Sequence, residues 1–219
     1  MKTRPTKSET ALLEQWRVAL KNALSQPEIK TRIEEFGYNI EKLQEGQTLW
    51  QNTKDIWDLN KKENLETKEA SNNFKEQKQK LFKLYTSHRK KAKAKFKRKP
   101  ETLVLLQLTG IQPNTYLSLL QTIKHFYTQI NQNQEIANQL ITYNIPQEEF
   151  TRANELIEQT EIARAEYLRE DGESQDATKQ KDTALTNLEH WMQDFYAMSS
   201  IALEKNEQLL EAIGLFRKS

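Results

Sequence analysis

The side chains best suited to chemistry near neutral pH are three histidines, His88, His125 and His190. A dinuclear metal site in a helical bundle needs glutamates together with Glu-x-x-His pairs, which place carboxylate and imidazole on one helix face. The residues three positions before the histidines are Tyr85, Thr122 and Asn187, so that donor set is missing. With no cysteine in 219 residues there is no thiolate ligand, no disulfide and no cysteine nucleophile. Neither a glycine-rich phosphate loop nor a Gly-x-Ser-x-Gly elbow occurs, and the five glycines read as helix stops. The expectation is a chain with no metal, no cofactor and no catalytic residue. Any active site would have to be assembled from residues far apart in sequence. Each lone histidine is expected at the surface or held by a hydrogen bond.

The second stretch with chemical potential is HRKKAKAKFKRKP, residues 88–100, where Arg89, Lys90, Lys91, Lys93, Lys95, Lys97, Arg98 and Lys99 supply eight cations. On a helix Ala92 and Phe96, four apart, face inward and the basic residues spread around the rest. Such a cluster can grip phosphates of nucleic acid or anionic lipid heads without reading sequence. It can equally be a solvated helix end, complement a helix C-terminus, or dock against acidic residues elsewhere in the chain. Residues 1–106 carry 24 Lys and Arg against 14 Asp and Glu, whereas 107–219 carry 9 against 17, a split of +10 and −8.

What positions these residues is suggested by an echo. EIKTRIEEFGYNIEKL at 28–43 returns, 107 positions later, as EIANQLITYNIPQEEF at 135–150. Ile29, Ile33 and Phe36 at helical spacing lead into Gly37; Ile136, Leu140 and Tyr143 lead into Asn144. Glycine and asparagine are the residues that adopt positive φ most cheaply, so both copies predict a left-handed helix ending. Tyr38 and Ile145 follow, apolar residues placed to fold back on the preceding turn and to meet Leu43 and Phe150 of the next helix. At the same offset Leu12, Leu13, Leu49, Leu81 and Phe96 fall on Leu119, Leu120, Leu156, Leu188 and Leu203.

The rest of the chain is read as helix. Gly and Pro number five each, the common residues favour helix, and no sustained alternation of β-branched residues argues for a strand. Each unit is expected to hold a first helix (8–25, 114–131), a short helix into the corner (27–36, 134–143), two longer helices and a short terminal one. In the second unit EDGESQD at 170–176 reads as a turn, with Gly172 stopping one helix and Ser174 capping the next. In the first, Asn64 and Thr67 hold the matching place, although 40–98 could run as one long helix. Trp50 and Trp57, and Phe126, Tyr127, Trp191, Phe195 and Tyr196, are expected in the core. The segment 103–111 is too short to span a bilayer and residues 1–16 lack a leader's apolar core, so a soluble, cytoplasmic protein is expected.

With its FGYN and YNIP corners and its LLEAIGL ending, this layout resembles an uncharacterised bacterial family of tandemly duplicated all-α proteins. The resemblance implies a helical bundle and carries over no functional residue. The fold expected is all-α, a tandem duplication of a multi-helix up-down unit, with a basic first unit (1–108) and an acidic second unit (109–219). The function expected is a non-enzymatic interaction or scaffold role toward a protein partner or a second copy. The alternative is nonspecific binding of nucleic acid or anionic membrane through residues 89–99.

Overall fold

The computed structural model describes residues 7–215, which form eight helices and no strand. They are α1 (Glu9–Ser25), α2 (Pro27–Glu34), α3 (Ile40–Lys95), α4 (Pro100–Leu105), α5 (Tyr116–Gln132), α6 (Gln134–Ile141), α7 (Gln147–Ala202) and α8 (Glu207–Ala212). The starts at 9, 27, 40 and 100 recur at 116, 134, 147 and 207, an offset of 107 each time, with equal lengths of 17, 8, 56 and 6 residues.

Local chemistry sets these bounds. Ser8 caps α1 by accepting from the Ala11 amide, and Thr115 caps α5 by accepting from Ser118. Pro27 and Pro100 occupy first-turn positions, where a missing amide costs nothing. The corner after α2 is a Schellman ending: Gly37 has φ +88°, its amide donates to Glu34 O at 3.1 Å, and the Tyr38 amide donates to Ile33 O at 3.1 Å. After α6, Asn144 has φ +59°, with amide bonds from Asn144 to Ile141 O (3.1 Å) and from Ile145 to Leu140 O (3.3 Å). Asn39 then caps α3 by accepting from the Lys42 amide at 2.9 Å. Because a β-branched residue resists positive φ, Gly37→Val should lower unfolding free energy by more than about 1 kcal/mol, whereas Gly37→Asn should stay within about half of that. Equal thermal midpoints for wild type and the valine variant would contradict the left-handed geometry.

Three expectations need correction. The turn at 170–176 does not form and α7 runs unbroken through Gly172, while α3 runs through Asn64 and Thr67 as the single long helix that the sequence also allowed. One helical glycine costs only about 1 kcal/mol, and cross-helix bonds replace the expected caps: Thr67 Oγ1 donates to Glu170 O at 2.9 Å, and Ser174 Oγ donates to Asn64 Oδ1 at 3.0 Å. Gly46 and Gly172 therefore lie inside helices and are not stops. Helix α4 ends before Gly110: Gln107, at φ +50°, is the left-handed closing residue, and the Leu108 amide returns to Leu103 O at 2.8 Å.

Contacts divide the chain into two compact units, one of residues 1–64 with 173–219 and one of 65–172. Grouping by compactness thus differs from grouping by sequence echo, since each long helix contributes to both units. In the first unit α3 and α7 run antiparallel, bridged by Thr53 Oγ1 to Ala184 O (3.4 Å) and Asn60 Nδ2 to Thr178 Oγ1 (2.9 Å). Its core joins Leu13, Trp16 and Leu20 of α1, Ile29 and Ile33 of α2, Leu43 and Trp57 of α3, and Leu188, Met192 and Phe195 of α7. Tyr38 sits edge-on to Trp191 and Phe195, locking the corner against α7. The second unit repeats the scheme with Leu81, Tyr85 and Phe96 of α3, Phe126 and Tyr127 of α5, Leu140 of α6, and Phe150 and Leu156 of α7.

Ser199 and Ala92, which stand at the same helical position in their respective units, are both fully buried, yet the Ser199 hydroxyl has no hydrogen-bond partner. A buried unpartnered hydroxyl costs about 1 kcal/mol or more. Ser199→Ala should therefore raise the denaturant midpoint of unfolding, and a lowered midpoint would mean that the hydroxyl is satisfied in solution.

Candidate functional site

Of the two placements expected for a lone histidine, at the surface or held by a hydrogen bond, His88 takes the second. It follows Leu81 and Tyr85 and precedes Ala92 on one face of α3, and all four are completely buried. Its Nδ1 lies 2.9 Å from the Tyr127 hydroxyl of α5, and its Nε2 contacts Glu149 Oε2 in the first turn of α7. The donors assign the tautomer: the phenol donates to Nδ1, and Nε2–H donates to the carboxylate. Burial pushes the imidazole below its ordinary pKa, outweighing the Glu149 carboxylate, which favours the charged form; Lys91 pushes in the same direction as burial. Burial also raises the Tyr127 phenol far above its usual range, keeping it protonated. The result is a closed Tyr–His–Glu chain that ties three helices together, with the ring enclosed by Tyr127 and Phe150. The periodicity 81, 85, 88, 92 was the signal for its burial. His125 is half-buried and donates Nε2–H to Leu105 O at 2.8 Å, and His190 is exposed.

Arg89 is half-buried, and the other seven cations of the basic run divide into two faces. Lys91 Nζ donates to Asn144 O at 2.5 Å, so a lysine seals the left-handed corner after α6. Lys95 Nζ stands 4.5 Å above the Tyr143 ring, and Lys99 Nζ lies 3.2 Å from Gln139 Oε1 and 3.7 Å from Glu135 Oε1. These three cations dock against α6 and its corner, while Ala92 and Phe96 are buried. Lys90, Lys97 and Arg98 are exposed and Lys93 is half-buried. None of the last four pairs with a described acidic residue. The large charge split between sequence halves also shrinks on folding. Residues 1–64 with 173–219 carry 16 Lys and Arg against 18 Asp and Glu, and residues 65–172 carry 17 against 13, so the compact units differ only as −2 and +4.

At the same place in the first unit the long helix is apolar. Met198 and Ile201 are 38% and 52% exposed, and the α2–α3 corner adds Phe36 and Ile40, each 40% exposed. The ring contacts of Tyr38 with Trp191 and Phe195 bring that corner against the last turns of α7. The sequence shows that this stretch, FYAMSSIALEKN, is nearly uncharged, but which of its apolar side chains stay exposed is visible only once the buried face is known. Trp50 and Trp57 are core-facing, their indole N–H groups donating to Leu13 O (2.8 Å) and Glu9 Oε2 (3.0 Å). No described helix is long and apolar enough to cross a membrane.

Comparison of the chain with family models, curated proteins and solved structures finds no match.

Proposed function

We propose that the protein is a non-enzymatic helical interaction protein, built by tandem duplication of one helical unit, that binds a protein partner or a second copy of itself. The observation that carries this reading is the exposed apolar surface of Phe36, Ile40, Met198 and Ile201 at one end of the first unit. These four large apolar side chains remain 38–52% exposed, and withdrawing them into an interface is favourable by about 25 cal/mol per Å². The recurrence of all four helices at an offset of 107 supports the duplication. The polar groups with the most chemistry, His88, Tyr127 and Glu149, satisfy one another, which favours a structural role for them over catalysis.

A photo-crosslinking amino acid placed at Ile201, and for comparison at the exposed Gln51 of the same unit, tests the reading in cells. Crosslinked protein species at 201 and not at 51 are expected, and their mass distinguishes a second copy from a different partner. Equal crosslinking at both positions, or none at 201, would refute the docking surface.

A further inference from the structure

On α3 the residues Lys83, Thr86, Ser87, Lys90 and Ala94 are all exposed, with Lys93 half-buried beside them and the exposed Lys97 and Arg98 in the turn just past the helix end. At 100° per residue the helical positions from 83 to 94 fall within an arc of roughly 120°, opposite Leu81, Tyr85, His88 and Ala92, and they extend about 16 Å along the helix. Lys83, Lys90, Lys93, Lys97 and Arg98 form no ion pair with a described residue, in contrast to the three cations that turn toward α6. The stripe is therefore a row of five uncompensated cations with one free hydroxyl, Ser87, between them.

From this geometry we propose that the stripe is an interface for the phosphate backbone of double-stranded nucleic acid, read without regard to base sequence. Four of the five cations are lysines, point charges suited to phosphate oxygens and not to bidentate reading of base edges. The stripe contains no large apolar side chain to sink into a bilayer, which an interfacial helix requires. Nor does it contain an aromatic ring on which unpaired bases could stack; the exposed Tyr143 ring lies under Lys95. A duplex presents roughly 10 phosphates over about 16 Å of axis, more than enough for five contacts. Nor is the charge needed by the fold. The matching positions 107 residues on hold His190, Gln193, Asp194, Ala197, Ser200 and Ile201 in α7 and Glu204 and Lys205 just past its end, around the same kind of core. This surface lies in the second unit and does not depend on the apolar surface proposed for protein docking in the first.

Fluorescence anisotropy of the full chain with labelled mixed-sequence duplex DNA and duplex RNA, over a series of salt concentrations, tests the interface. Single-stranded DNA and phosphatidylserine vesicles serve as parallel ligands. Two variants are compared after circular dichroism confirms unchanged helix content: Lys83, Lys90, Lys93, Lys97 and Arg98 all changed to Gln, and Lys91, Lys95 and Lys99 all changed to Gln. The wild type should bind duplexes with a log–log salt slope of about −4 to −5, as expected for five neutralised phosphates. The five-site variant should lose at least about 100-fold in affinity at low salt and most of that slope, while the three-site variant keeps it. Four outcomes would overturn the proposal: no duplex binding at low salt, wild-type binding by the five-site variant, equal losses in both variants, or binding to vesicles alone.

Discussion

Gly46→Ala is expected to destabilise the protein by about 2–3 kcal/mol, although helix propensity alone would add about 1 kcal/mol of stability. Gly46 lies in α3, and a Cβ built there would stand 2.3 Å from Cη2, 2.5 Å from Cζ2 and 2.7 Å from Cζ3 of Trp191. Those are ring carbons of a side chain with little freedom to yield. The indole is stacked on Phe195 at 5.6 Å between centroids and meets the edge of Tyr38 at 5.7 Å, so moving it disturbs the α2–α3 corner as well. Gly172 provides the contrast: a Cβ there meets nothing within 4 Å, and Gly172→Ala should stabilise by about 1 kcal/mol through helix propensity. Urea unfolding of the two variants beside wild type measures both signs. If Gly46→Ala were also stabilising, close approach of α3 to the indole would be wrong. Pairing Gly46→Ala with Trp191→Leu should recover at least about 1 kcal/mol of the loss, because the obstruction is that ring and not the backbone.

His88→Leu should cost about 3 kcal/mol, more than a neutral core substitution of similar size. The imidazole serves two groups at once, and its loss strands the fully buried Tyr127 hydroxyl and leaves the Glu149 carboxylate without its donor. Tyr127→Phe removes one of those bonds and should cost about 1 kcal/mol. Introduced in the His88→Leu background it should cost less, since the hydroxyl is already stranded there. Nonadditive losses in chemical unfolding are the expected signature; full additivity would mean that the two side chains do not share a bond.

The same site makes a pH prediction. Because folding depresses the His88 pKa below its ordinary 6.5, the unfolded chain binds the proton more tightly. The full contribution of the neutral ring to stability is present above that ordinary value and is lost as pH falls from it toward the depressed folded value. Unfolding free energy of wild type should decline across that acidic window, and His88→Leu should decline less. A steeper fall in the variant would place the dependence on carboxylates instead.

Much of the fold was legible in short-range pattern. Gly37 and Asn144 announced their left-handed endings because few residues accept positive φ, and Tyr38 and Ile145 because an apolar residue after such an ending folds back on its helix. All-helical character followed from residues whose preference acts within four positions. Less legible was where the long helices stop. Gly172 and Ser174 carry a helix-stop and cap chemistry that is worth about 1 kcal/mol. The bonds that override it, Thr67 to Glu170 and Ser174 to Asn64, join residues more than 100 positions apart.

The candidate surfaces divide in the same way. The presence of eight cations at 89–99 is a property of the sequence alone, as is the scarcity of lysine at the matching positions of α7. Which of the eight are spent inside the molecule is a tertiary matter. Lys91, Lys95 and Lys99 face α6 and its corner, and the outward row gains Lys83, a residue outside the run, because exposure depends on which helix face packs. The burial of His88 belongs to both levels. Its spacing from Leu81, Tyr85 and Ala92 marks the inward face, but only packing of α5 and α7 on that face supplies the Tyr127 and Glu149 that make a buried imidazole affordable. Propensity, capping and φ preference act between near neighbours and can be read residue by residue. Partner choice for a polar side chain depends on long-range packing, and that only the tertiary structure decides.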